Sequence, residues 1–191
     1  MTHTMPVALP MSMGETCSGA GSYSSVEVAG FPPMIQNSTT SRTEAFSVEV
    51  VSDRPPVALL QESGATGRII VGDFAESFYM DLSYWSIEEY ERSWRDSLQV
   101  IFEGEERDSC LVASITDPEV SNFIFCWPLY RRGGDVIIQN SIIFLDELER
   151  GFNPLEPWSS VRPRLTVDED GNSISEWRTS ASAVRVFLGG C

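Results

Sequence analysis

The sequence predicts an α+β fold, a mainly antiparallel sheet packed with one amphipathic helix at about 86–103 and a short C-terminal helix. Three observations carry this reading. Two apolar runs rich in β-branched and aromatic residues, Phe123–Tyr130 and Val136–Leu145, flank Arg131-Arg132-Gly133-Gly134-Asp135, and that pattern spells a β-hairpin. Between 86 and 103 the apolar residues instead recur at spacings of three and four, the period of a helix face. Elsewhere short alternating runs are separated by Gly, Pro and Asp, as strands are.

In chain order, residues 1–43 are rich in Ser, Thr, Gly, Pro and Met with no periodic aliphatics, and read as a flexible arm preceding one domain over 44–191. Phe46, Val48 and Val50 alternate with Ser47 and Glu49 to give a half-buried strand ended at Asp53-Arg54-Pro55-Pro56. Val57–Leu60 is a second short run, and Arg68–Phe74 a third strand in which Gly72 marks a bulge or a close backbone approach. Phe78–Trp85 leads into the helix. There Ser86 with Glu89 three residues on forms a capping box, each side chain satisfying a backbone N–H left open at a helix start. Ile87, Tyr90, Trp94, Leu98 and Ile101 make the apolar stripe, with Trp94 read as a packing residue. Glu88/Arg92 and Glu91/Arg95 stand at i,i+4 in the favourable order, worth ~0.3–0.5 kcal/mol each when formed. Glu105-Glu106-Arg107-Asp108 reads as an acidic link to a strand at Ser109–Thr116, closed by Asp117-Pro118.

Neither arm of the central hairpin alternates cleanly. Ile137-Ile138 and Ile142-Ile143-Phe144-Leu145 place apolar groups on both faces, as strands covered on both sides do. Arg131-Arg132 at the tip reads as a solvated turn. Beyond it, Asp146–Trp158 is broken by Gly151, Pro154 and Pro157 and reads as loop, and Ser173–Arg178 as extended. Ser180 caps a last helix with Val184, Phe187 and Leu188 on one face.

Composition narrows the function. With 191 residues and 42% hydrophobic content the chain can bury one ordinary core. Its apolar runs fall short of the ~20 residues that cross a bilayer, and no charged segment followed by an apolar one opens the chain, so a cytoplasmic protein is expected. The net charge is −15, and residues 1–43 hold only Glu15, Glu27 and Arg42 of the charged groups, leaving −14 on residues 44–191. Such a surface repels nucleic acid and membrane phosphates and favours a basic partner. All thirteen basic residues are arginine. The lone histidine, His3, lies in the arm, which argues against Ser-His-Asp or Cys-His catalysis and histidine-bound metal. Cys17, Cys110, Cys126 and Cys191 lack the paired spacing of a zinc site and read as two buried and two incidental thiols. No phosphate-cradling glycine loop occurs. Asp168-Glu169-Asp170-Gly171 is an acidic turn and not a calcium loop, because the twelfth position, where that loop needs Glu, is Thr179.

A series of short words runs through the C-terminal two-thirds. It comprises Tyr84-Trp85, Tyr90 and Trp94, then Pro128-Leu129-Tyr130-Arg131, Gln139-Asn140 and Phe144-Leu145-Asp146. Phe152, Pro163-Arg164, Glu169-Asp170-Gly171 and Ser175-Glu176-Trp177 complete it. In order and spacing these words, spanning about Phe74–Leu188, resemble the bacterial contact-dependent growth inhibition immunity proteins, a polymorphic-toxin immunity family. Two features depart from it: Cys126 stands where a second bulky aromatic beside Trp127 is expected, and residues 1–43 have no counterpart. The resemblance implies a cytoplasmic, non-catalytic protein, without cofactor or metal, that binds and neutralises one cognate toxin domain, commonly a nuclease. Nucleic acid and membrane are not implied as partners. On that reading the expected contacts are acidic groups near aromatics: Asp146, Glu147, Glu149, Asp168, Glu169, Asp170 and Glu176, with Trp177 as anchor or as core. Gln139-Asn140 either fixes a neighbouring loop or lies at the binding face. Two further classes stay open, a regulatory or structural interaction module without a toxin and a hydrolase built on carboxylates alone.

Overall fold

The computed structural model describes residues 45–54 and 63–189, all within the compact unit Thr40–Cys191. The arm expected at 1–43 and the run Val57–Leu60 lie outside the described residues. The elements are β1 (Phe46–Ser52), β2 (Gly64–Val71), β3 (Phe74–Asp81), α1 (Ile87–Val100), β4 (Glu106–Ser114), β5 (Phe123–Arg132), β6 (Asp135–Gln139), β7 (Ser141–Phe144), β8 (Glu176–Ser180) and α2 (Ala181–Gly189). The α+β class is as the sequence predicts, but the strands divide into two antiparallel sheets. One has the order β1-β2-β3; the other has the order β4-β5-β6-β8, with β7 also paired to β5.

The predicted hairpin is the middle of the second sheet. β5 and β6 are joined by Gly133-Gly134, and Gly133 has φ +61°, a conformation that glycine adopts without a Cβ penalty at the first loop position of a type II′ turn. The second apolar run is two strands, β6 and β7, yet both keep one register against β5, from Arg132↔Asp135 through Leu129↔Ile138 to Cys126↔Ser141 and Phe123↔Phe144. The Leu145 N–H donates to Asn122 O at 2.9 Å and so sets the phase of the ladder. In that phase Pro128 points its nitrogen at Gln139, with no hydrogen to give, and the ladder lapses there.

Gly72 is no bulge. With φ +59° it opens the two-residue turn between β2 and β3, and its N–H donates to Ala45 O at 2.8 Å. The expected acidic link is also corrected: Glu106, Arg107 and Asp108 belong to β4 and lie opposite Arg132, Arg131 and Tyr130 of β5. Arg132 stands opposite Glu106 and binds Asp108, an opposite-charge grouping that favours pairing over a solvated link, whereas the like-charged Arg107 and Arg131 turn to separate partners, Arg107 to Glu103. The arginines at the hairpin tip are likewise not free in solvent. Arg132 Nη1 donates to Asp108 Oδ1 at 2.6 Å. Arg131 Nη1 donates to the carbonyls of Ile101 and Gly104 at 3.1 and 2.6 Å, closing the C-terminal end of α1 where backbone acceptors lack partners.

Helix α1 starts as its sequence dictates. Ser86 N–H donates to Glu89 Oε2 at 2.7 Å, and Glu89 N–H to Ser86 Oγ at 3.3 Å. Tyr90, Trp94, Leu98 and Ile101 are buried and Ile87 is half-buried, as the stripe requires, although the helix ends at Val100 and not near 103. The Glu88/Arg92 and Glu91/Arg95 pairs are absent from the ion pairs among the described residues, which is ordinary where water competes for exposed long side chains. An aromatic cluster joins the layers: Phe74 and Phe78 of β3, Trp94 of α1, Trp127 of β5 and Trp177 of β8, with Phe74 stacked on Trp177 at 3.8 Å between centroids. On the other face of β5, Cys110, Cys126 and Ile143 pack under Leu145, Leu148, Phe152 and Val161. Cys110 and Cys126 are buried free thiols, and the contact with Cys126 together with burial pushes the Cys110 thiol well above its ordinary pKa.

Three buried side-chain donors fix α1 to the sheets, one of them Ser109 Oγ of β4, which donates to Ser97 O at 2.8 Å. Trp94 Nε1 donates to Val112 O at 2.7 Å. The Tyr90 hydroxyl donates to Asp81 O at 2.8 Å and accepts from Ile115 N–H at 3.0 Å, tying the ends of β3 and β4 to one helix residue. Burial raises the pKa of this hydroxyl, so it stays neutral. Removing it as Tyr90→Phe leaves one carbonyl and one N–H without that partner and is expected to cost about 2 kcal/mol. A urea denaturation midpoint unchanged from the parent would contradict this role.

Candidate protein interface

The acidic residues marked in the sequence fall into three settings. Asp146 and Glu147 lie in a 3-10 turn, Leu145–Glu147, directly after β7, and Glu149 follows. Glu147 is paired with Arg162, whereas Asp146 and Glu149 are exposed with no ion pair among the described residues. Asp168, Glu169 and Asp170 occupy a separate turn. Asp168 Oδ1 accepts from the N–H groups of Asp170 and Asn172 at 3.0 and 2.8 Å, while Gly171 takes φ +83°. Hydrogen bonds from the Asn172 side chain and backbone lower the Asp168 pKa, so this carboxylate builds its own turn, while Glu169 and Asp170 are exposed beside it.

The third setting is internal. Glu176, half-buried on β8, receives Arg164 through Nε at 3.0 Å and Nη2 at 2.7 Å, a two-pronged charge-assisted contact. Trp177 is half-buried against Phe74 and belongs to the aromatic cluster. Gln139 is buried and its Nε2 donates to Leu165 O at 2.7 Å, so it fixes the loop that leads to the acidic turn. Its neighbour Asn140 is exposed and lines a groove.

That groove holds the feature which the sequence reading did not single out. Phe125 lies opposite Ile142, and Phe123 opposite Phe144, so these four side chains share one face of the β5–β7 ladder. Phe123 and Phe125 are each 42% exposed, Ile142 41% and Phe144 45%, whereas Trp127, two residues on in the same strand, is buried. The two phenyl rings meet edge to face at 5.2 Å. A groove of about 670 Å³ runs along this face, lined by Phe125, Ile142, Phe144, Asn140, Tyr79 and Glu76 among others. Among the described residues Glu76 is the one carboxylate in its lining, with none facing it as the pair in glycosidase-type acid–base chemistry does. Among the described residues no three His, Cys, Asp or Glu side chains gather as metal ligands, and no helix is long and apolar enough to cross a membrane. The alternation Phe123, Phe125, Trp127 carried the signal for this face. The equally apolar Ile124 and Cys126 between them masked it.

Comparison with known proteins places this geometry in a family. The profile of the CdiI N-terminal domain matches residues 80–187. Over 140 residues the chain is 38% identical to the immunity protein CdiI of Enterobacter cloacae subsp. cloacae, covering 72% of this chain and 94% of that one. It also superposes on a chain of the solved CdiA-CT/CdiI toxin and immunity complex from Enterobacter cloacae, with a TM-score of 0.67 and 36% identity, over 76% of this chain and 97% of that chain.

The Glu176–Arg164 contact gives a pH-dependent expectation. Burial opposes the Glu176 charge, but hydrogen bonds and charge from Arg164 and then Arg178 outweigh it and hold the pKa below the ordinary 4.5. A carboxylate with a lowered folded-state pKa contributes stability that is present above its unfolded pKa and is lost as pH falls through the folded one. Glu176→Gln is therefore expected to lower stability by about 1–2 kcal/mol at neutral pH, with the gap to the parent closing as pH drops below the ordinary carboxylate range. Denaturant midpoints measured across that range check it; a gap constant with pH would contradict it.

Proposed function

This chain belongs to the CdiI N-terminal domain family, and we propose that it is an immunity protein that binds and neutralises one cognate contact-dependent growth inhibition toxin domain. The observation that carries the reading is the 38% identity to an immunity protein over 94% of that relative's length, beside a family match over residues 80–187 that takes in α1 and the central ladder. On this reading the chain acts by stoichiometric contact and not by catalysis. Finer points belong to the same proposal: the toxin is a nuclease, and the two proteins meet in the cytoplasm.

The charge of the chain supports the nuclease reading. A nuclease carries basic surface for phosphates, and a protein of charge −15 is drawn to it over a distance of about one Debye length, ~8–10 Å at moderate salt. Carboxylates then occupy places that phosphates would take. Of the acids marked in the sequence, Asp146, Glu149, Glu169 and Asp170 are exposed and unpaired among the described residues, and so can face a partner at no cost to the fold. Asp168 and Glu176 are engaged in shaping their own surroundings, and Glu147 already holds Arg162.

The test is co-purification with the C-terminal domain of the polypeptide encoded immediately upstream, together with survival of cells that express both. A complex that protects cells is the expected result; a pair that neither associates nor protects would contradict the immunity reading. Steering is tested separately. Replacing Asp146, Glu149, Glu169 and Asp170 by their amides is expected to slow association about tenfold at low salt and to change dissociation little. An association rate indifferent to both salt and these changes would contradict the steering role.

A further inference from the structure

We propose that the uncovered end of the β5–β7 face, formed by Phe123, Phe125, Ile142 and Phe144, is where the toxin domain docks, receiving an apolar segment of that partner flanked by arginine or lysine. The inference rests on the immunity reading above and adds to it the surface and the chemistry of the contact.

The face is a continuation of the core. In the single register of β5 against β6 and β7, Trp127 and Leu129 point to the side buried by β3 and α1, and the same side carries Phe125 and then Phe123. Cover ends at Trp127, but the apolar pattern runs on for two more cross-strand pairs, which leaves four large apolar side chains about two-fifths exposed together. Single exposed apolar residues are ordinary; a contiguous set on a sheet face marks an interaction surface.

The face is also rigid before binding. β5 is paired with β4 as far as Phe125 and with β7 through Phe123, and the reverse side of this ladder is packed by Cys126 and Ile143. Aromatic side chains with two rotatable bonds, held edge to face, lose little freedom when a partner covers them, which is the character of a binding anchor.

Charge selects the occupant. Glu76 stands in the groove, and Asp146, exposed and unpaired among the described residues, follows Phe144 by two residues. A second copy of this chain would bring its own −15 against the same sign, whereas an apolar segment with basic neighbours satisfies both the phenyl face and the acidic rim.

The experiment uses the full chain and the toxin domain encoded upstream. Phe125→Ser and Phe144→Ser are each expected to weaken binding about 10- to 100-fold, mainly through faster dissociation. Asn140→Arg, at an exposed position of the groove wall that is not part of the core, places a cation in the path of the basic segment and is expected to weaken binding by about tenfold. Val186→Ser, a change at a more exposed apolar side chain on α2, is expected to bind as the parent does. Thermal melts identify any variant that fails to fold, and the Asn140 variant then carries the decision. If the parent binds and the Phe125, Phe144 and Asn140 variants bind equally well, the docking surface is wrong while immunity stands. If the parent neither binds nor protects, the immunity reading fails and this inference falls with it. If the parent is a dimer that the phenylalanine variants dissociate, the occupant is a second copy and the proposal is overturned.

Discussion

The structure depends on β5 being held from every direction. Its edges pair with β4 on one side and with β6 and β7 on the other. One of its faces meets the aromatic cluster and α1, and the other lies beneath the segment that follows β7. A strand in this position tolerates few polar groups and few breaks in its ladder. The proline at position 128 is the exception, and the sheet accommodates it by dividing the partner strand at Asn140 without a change of register. Because the register survives that gap, the alternation of faces set at Tyr130 and Leu129 is still in force at Phe125 and Phe123.

That persistence connects the fold to its use. The first sheet and α1 cover the inner face of β5 only as far as Trp127. Beyond it the same ladder presents an apolar end that is stiff because its backbone is already paired and its reverse side packed. A rigid apolar end within a strongly acidic molecule suits a partner that is basic overall and apolar at one point. The two properties act at different stages: charge governs how fast partners meet, and buried apolar contact governs how long they stay together.

Much of this was legible in the sequence, and for physical reasons. Ser86 and Glu89 act on their own helix start, the α1 stripe has the period of a helix face, and Gly133-Gly134 closes a turn between adjacent strands. All are local interactions encoded within a few residues. What the sequence hid depends on distant pairing. Glu106 and Asp108 resemble a solvated link until Arg132, 24 residues beyond Asp108, is brought beside them both. Gly72 reads as a blemish in one strand until the two strands on either side of it are seen to pair. The acids Asp168 and Glu176 cannot be told from Asp146 and Glu149 by residue type. Only the fold shows that the first two hold a turn and an arginine while the others face solvent. The exposed phenylalanines were legible as strand residues but not as surface, because exposure depends on where the covering layer stops.

The most direct test of this account is hydroxyl-radical footprinting of the full chain, alone and saturated with its cognate toxin domain, read residue by residue by mass spectrometry. If the toxin domain docks on this face, oxidation of Phe123, Phe125 and Phe144 falls sharply in the complex while Val186 and Leu155, both highly exposed, keep their reactivity. Phenylalanines as reactive in the complex as in the free protein, with protection confined to another face, would contradict it.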